Sequence, residues 1–92
     1  MNKVIKVKHV VKGWEKKYGY LGVTLTERDL FRPLMNTHFT LNFLGDDLPN
    51  RTYSQRYKRI YVGKKIKELQ VGDVLTCYTD ERGNLYVKRN RL

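Results

Sequence analysis

Polar and apolar residues alternate at the two-residue period of β-strands in several short stretches of this chain. Over residues 3–11, KVIKVKHVV, Ile5, Val7, His9 and Val11 fall on one face and Lys6 and Lys8 on the other, and Gly13 ends the strand. Residues 18–25, YGYLGVTL, predict a second extended segment in which Gly19 and Gly22 mark a bulge or a close backbone approach. The clearest strand is HFTLNFL, residues 38–44, with Phe39, Leu41 and Phe43 on one face and Thr40 and Asn42 on the other. GDDLPN, residues 45–50, predicts a loop. RTYSQRYKRIYVG, residues 51–63, predicts extended chain, as a hairpin or a bent strand. There Tyr53, Gln55, Tyr57, Arg59 and Tyr61 share one parity, and Ser54, Arg56, Lys58, Ile60 and Val62 the other. DVLTCYT and LYVKRN, joined by DERGN, predict a closing hairpin with Cys77 in the core.

Two short helical stretches interrupt this pattern. In TERDLFRP, residues 26–33, Thr26 suits an N-cap, Glu27 and Asp29 suit the positive end of a helix, and Pro33 stops it, which predicts one or two helical turns at most or a tight turn. In KKIKELQVGD, residues 64–73, Ile66 and Leu69 predict the inward side of a helical turn that Gly72 leaves. The fold class is therefore mostly β: a small open barrel or pseudobarrel of about seven strands with one or two short helices. At 92 residues the chain predicts a single domain spanning 1–92, with no repeat, linker or low-complexity stretch.

Charge changes this picture most. Nineteen basic against nine acidic residues give a net charge of +10, unevenly spread. Residues 1–20 carry +5, residues 21–50 carry −2, residues 51–72 carry +6 and residues 73–92 carry +1. Such clustering draws in polyanions. No apolar run approaches the roughly 20 residues that span a bilayer, and the N-terminus lacks the continuous apolar block of a signal peptide. Cys77, the one cysteine, excludes an internal disulfide and a multi-cysteine zinc site. The expectation is a soluble intracellular protein, cytoplasmic or nucleoid-associated, without a cofactor or a membrane partner.

The ordered pieces TLTERDL (24–30), YSQRY (53–57), KELQVGDVLTCY (67–78) and NLYVKR (84–89) resemble the B-three DNA-binding pseudobarrel family of plant transcription factors and restriction-endonuclease effector modules. The resemblance runs from about Val23 to Arg89. It departs from the family in leaving little room for a helix at 33–38 and in lacking the tryptophans that precede the RY pair and open the second helix. It implies two loops that grip the DNA major groove like jaws. Carried over by position, the first jaw holds Thr26, Arg28, Arg32, Asn36 and Thr37, and the second holds Arg51, Tyr53, Gln55, Arg56 and Lys58.

The residues of the second segment have suitable chemistry apart from any family. Arginine presents a planar fork to guanine O6 and N7, and glutamine pairs with adenine N6 and N7. Lysines, Lys64 among them, attract phosphate without reading bases. Tyrosines donate to phosphate or stack on unpaired bases. The plainer reading is an exposed hairpin whose tyrosines cover a small core and whose bases are only solvated. Arg28 and Arg32, four residues apart, share a helix face or else pair with Glu27 and Asp29. The N-terminal lysines track a nucleic-acid backbone or simply blunt an edge strand.

Enzymatic readings are thin. His9 and His38, the only histidines, stand beside no carboxylate in the chain, and a lone histidine in a strand is more often structural than catalytic. No metal-ligand spacing, phosphate-cradling glycine loop or nucleophile–base pair stands out. A ribonuclease site built from Glu15, His38 and an arginine requires their convergence in space. The sequence thus points to a non-catalytic binder of double-stranded DNA. The alternatives are an RNA or single-strand binder and a basic module that recruits or inhibits an acidic protein partner.

Overall fold

The computed structural model describes residues 6–23, 32–34 and 37–89, and their architecture is mostly β, as the alternation predicts. Among the described residues, eight strands form two sheets that do not close into a barrel. They are β1 (Lys6–Val10), β2 (Tyr20–Gly22), β3 (Phe39–Phe43), β4 (Asp46–Arg51), β5 (Tyr53–Ser54), β6 (Arg59–Tyr61), β7 (Val74–Thr79) and β8 (Leu85–Arg89). The large sheet has the order β1-β7-β8-β3-β4 and is antiparallel except where β3 runs parallel to β8, Leu41 facing Leu85. The small sheet, β2-β6-β5, is antiparallel throughout.

One core joins the sheets. Leu41, Phe43, Leu75, Leu85 and Val87 from the large sheet are fully buried together with Leu21 and Ile60 from the small one. Each such side chain is worth about 1.5–3 kcal/mol on removal from water. Ile66 and Leu69 close one end from a 3-10 turn at Lys64–Glu68, and Cys77 packs among these residues.

Three local predictions need correction. Residues 45–50 are not a loop: Leu44 and Gly45, at φ 52° and 94°, make a tight turn that sends β4 back along β3. The polar sequence of β4 is tolerated because it is an edge strand with one face in water. Residues 13–18, where the pattern predicts no helix and starts the second extended segment at Tyr18, form a helix, α1 (Gly13–Tyr18). Pro33 does not stop its segment but lies inside a 3-10 turn, Arg32–Leu34; the rest of the short helix or tight turn expected at 26–33 lies outside the described residues.

Helix α1 carries the connection between the sheets. Glu15, with 0% exposure, accepts three hydrogen bonds. Its Oε1 takes the Lys12 backbone N–H at 2.7 Å, which caps the helix. Its Oε2 takes the Gly22 backbone N–H at 2.6 Å and lies 2.7 Å from Nε2 of buried His9. One carboxylate thus joins β1, α1 and β2. A Cβ at position 22 would stand 2.6 Å from Cζ2 of Trp14, so glycine is what lets the indole pack directly on this strand. The chain leaves α1 at Gly19, in the left-handed region at φ 79°, and turns directly into β2.

The closing hairpin is held by another carboxylate. Asp80 accepts from the backbone N–H groups of Arg82 and Asn84 at 2.9 Å, and from Asn84 Nδ2 and the Tyr86 hydroxyl. Burial pushes its pKa up, but hydrogen bonds from Asn84, Tyr86 and Arg82 outweigh this and hold it below the ordinary 3.8. A carboxylate depressed in the folded state stabilises above its unfolded pKa, and the effect fades as pH falls through the folded value.

Two predictions follow from these carboxylates. Glu15→Ala leaves two backbone donors and His9 without their acceptor, and stability should fall by about 3–5 kcal/mol in urea titration. A loss below about 1 kcal/mol would show that the three-way connection is dispensable. The gap in urea midpoint between wild type and Asp80→Asn should be largest near neutrality and shrink as pH drops below the ordinary carboxylate value. A gap constant down to strong acid would remove Asp80 as the hairpin's charged anchor.

Candidate nucleic-acid interface

The outer face of the small sheet gathers the aromatic and guanidinium groups of residues 20 and 51–61. Pairing fixes which residues share it. Leu21 faces Ile60 and both point inward, so their neighbours Tyr20, Arg59 and Tyr61 point outward. Tyr53 also pairs with Ile60 and is buried, and Ser54, opposite Arg59, is on the outer side.

The outward groups touch in series. The Arg51 guanidinium lies 5.5 Å from the Tyr61 ring centre, and Tyr61 meets Tyr20 edge-to-face at 5.4 Å. Arg59 lies 4.0 Å from the Tyr20 ring and 4.7 Å from Tyr57, over which Arg56 sits at 5.3 Å. Each exposed cation–π contact is worth about 0.5–1 kcal/mol. Their larger effect is to hold flat groups in place before any ligand arrives, which lowers the entropy cost of binding. Tyr57 and Tyr61 nevertheless remain 56% and 51% exposed, with ring surface available for contact.

Beyond the strands the β5–β6 turn projects Gln55, Arg56, Tyr57 and Lys58, all exposed. The Tyr57 backbone N–H donates to Ser54 Oγ at 3.2 Å, and Lys58 turns the chain at φ 53°. The Val23 N–H donates to the Lys58 carbonyl at 2.8 Å, so the residue that follows β2 sits beside this turn. Residues 16–23 and 50–65, which build the face, contain no acid. The large sheet's outer face is mixed in charge. Lys6 and Lys88 lie over Tyr78, but the adjacent Tyr86 is bound to Asp80, and Asn42 is bound to Asp47.

Of the residues assigned to the second jaw, Gln55, Arg56 and Lys58 stand together on the turn. Arg51 is half-buried at the end of β4; its Nη1 donates to the Pro49 carbonyl and its Nε is buried, so it supports Tyr61 more than it offers a free fork. Tyr53 is a correction. Its ring belongs to the core, because the turn at 55–58 breaks the strict parity that would have placed it beside Tyr57, Arg59 and Tyr61. Lys64 is exposed at the start of the 3-10 turn and lines a shallow concavity together with Tyr61.

For the first jaw, Arg32 and Thr37 are exposed, and the Thr37 hydroxyl donates to the Leu34 carbonyl. Thr26, Arg28 and Asn36, and with them the Arg28–Arg32 face, lie outside the described residues. Tyr20, Arg59 and Tyr61 are additions. Only the pairing of β2 with β6, some 40 residues apart in sequence, brings Tyr20 to the arginine-rich segment. Glu15 is buried and engaged by three donors, which withdraws it from a surface site with His38.

The chain matches no protein-family model, and no curated protein or solved structure is significantly similar to it.

Burial separates the tyrosines by role. Tyr53→Ala should destabilise by about 3 kcal/mol or more, as loss of a buried aromatic does. Tyr57→Ala should stay within about 0.5 kcal/mol of wild type in the same thermal or urea melts. Equal destabilisation by the two would mean that the turn, rather than the core, fixes the small sheet.

Proposed function

We propose that the protein is a non-catalytic nucleic-acid-binding module that contacts double-stranded DNA through the outer face of the small sheet, with the β5–β6 turn as its reading arm. The observation that carries this reading is the acid-free series Arg51–Tyr61–Tyr20–Arg59–Tyr57–Arg56, which ends on a turn presenting Arg56, Gln55 and Lys58. Arginine and glutamine on a projecting turn suit base edges in a major groove, and the surrounding cations suit phosphates. The 2.8 Å link from Val23 to Lys58 places the last described residue before the first expected jaw beside the β5–β6 turn, in keeping with the two-loop grip that the B-three resemblance implies.

A specific feature favours a second reading. The rings of Tyr57 and Tyr61 are half exposed on a sheet surface, an arrangement suited to stacking unpaired bases of RNA or single-stranded DNA.

Fluorescence anisotropy with matched duplex DNA, single-stranded DNA and RNA, at several salt concentrations, tests both. On the proposed reading duplex binds best, and neutralisation of about six phosphates gives a log–log salt slope near −5. Arg56→Ala should relax base preference with a loss of about 1–3 kcal/mol on the preferred site. Tyr57→Ala should affect duplex and single strand alike. A selective loss on single strands would transfer the function to the second reading, and no binding near physiological salt would end both.

A further inference from the structure

Next to the Tyr–Arg face, across Tyr61, the surface dips into an open concavity of about 150 Å³ lined by Lys17, Tyr18, Tyr61, Lys64 and Lys67. Its floor is backbone. Gly19 and Gly63 pack so closely that a Cβ on Gly19 would stand 3.3 Å from the Gly63 carbonyl oxygen, and the Gly63 N–H donates to the Gly19 carbonyl at 2.9 Å. Both glycines have positive φ, 79° and 98°, so two otherwise distant segments can meet there without side chains filling the space.

The charges around this floor are unbalanced. Lys65, their neighbour, is bonded to Asp46 and lies 4.0 Å from Glu68. Among the described residues, Lys17, Lys64 and Lys67 make no such ion pair, and Lys17 rests its ammonium 5.4 Å from the Tyr18 ring. Three lysines and no carboxylate among the described residues line the concavity, which leaves a net positive charge there that attracts an anion. The two tyrosines beside them are 58% and 51% exposed.

We infer that this concavity is a phosphate-binding site, occupied by a backbone phosphate of the nucleic acid that lies on the Tyr–Arg face. Tyr61 is shared: it lines the concavity and packs edge-to-face against Tyr20. A polymer crossing the small sheet from the 55–58 turn therefore leaves the guanidinium series and meets the three lysines next. Ammonium groups give such a site charge without base recognition, so it fixes where the backbone lies and not which sequence is bound. The inference rests on the proposed nucleic-acid reading for its ligand, but the site's affinity for phosphate does not.

Two experiments separate these dependencies. In the first, inorganic tripolyphosphate is titrated into the full chain while backbone amide shifts are followed by NMR. Changes should cluster at residues 17–19 and 61–67; changes scattered over both sheets, or none, would overturn the site. In the second, the salt slope for the best-bound nucleic acid is compared for wild type, K17Q/K64Q/K67Q and the control K6Q/K8Q/K88Q, which removes equal charge from the large sheet. The first variant should reduce the slope by about 2 or more and the control by less than about 1. Equal reductions would reduce the lysines to general electrostatics and overturn the inference, while binding by all three proteins would leave the nucleic-acid reading standing. Local tripolyphosphate shifts without binding of any polymer would contradict that reading, and with it the polymer as this site's occupant.

Discussion

The structure depends on one carboxylate. Glu15 is fully buried in a chain of net charge +10 and accepts from β1 through His9, from the start of α1 and from β2. Burying a carboxylate is costly unless its lone pairs are filled, and here they are filled by groups from three separate elements. Its retention there is best understood as specification of geometry. An apolar residue would fill the space, but it would supply no acceptor for the two backbone donors and no fixed angle between the sheets.

That geometry carries outward to the surface. Gly22, whose N–H is held by Glu15, pairs with Arg59, and Tyr20 two residues earlier pairs with Tyr61. The buried contact therefore sets the register of β2 against β6, and a slip of one residue would turn Tyr20 into the core and Leu21 into water. Trp14, packed over the open side of Gly22, supports the same strand from the helix. The aromatic and guanidinium series is in this sense fastened from within, which suits a preorganised contact face. The lysine concavity depends on the same construction, because Gly19 joins α1 to β2 and also supplies the concavity's floor.

Much of the fold was legible as alternation. Phe39, Leu41 and Phe43, the inward positions of β1 and the closing hairpin all lie where a two-residue period puts them, because these strands have one wet and one dry face. Edge strand β4 was not legible, since it carries no apolar stripe and owes its place to the turn at Leu44–Gly45. Helix α1 was hidden by its length of six residues; the available signal was an acid, Glu15, alone in a basic stretch and three residues after the helix cap. Of the site, the composition of residues 51–61 and the exposure of Gln55, Arg56 and Lys58 could be read directly. The outward set could not, since a turn inside that segment breaks the parity and places Tyr53 in the core. Tyr20 enters the face through a long-range pairing that no local pattern encodes.

The central claim is that the small sheet, and not the lysine-bearing large sheet, receives nucleic acid. Amide-shift mapping of the full chain with a short DNA duplex tests it most directly. The account predicts that shifts concentrate at residues 20–23 and 54–61, with β1 and β8 nearly silent. Shifts centred on Lys6, Lys8, Tyr78 and Lys88, or spread evenly over both sheets, would contradict it.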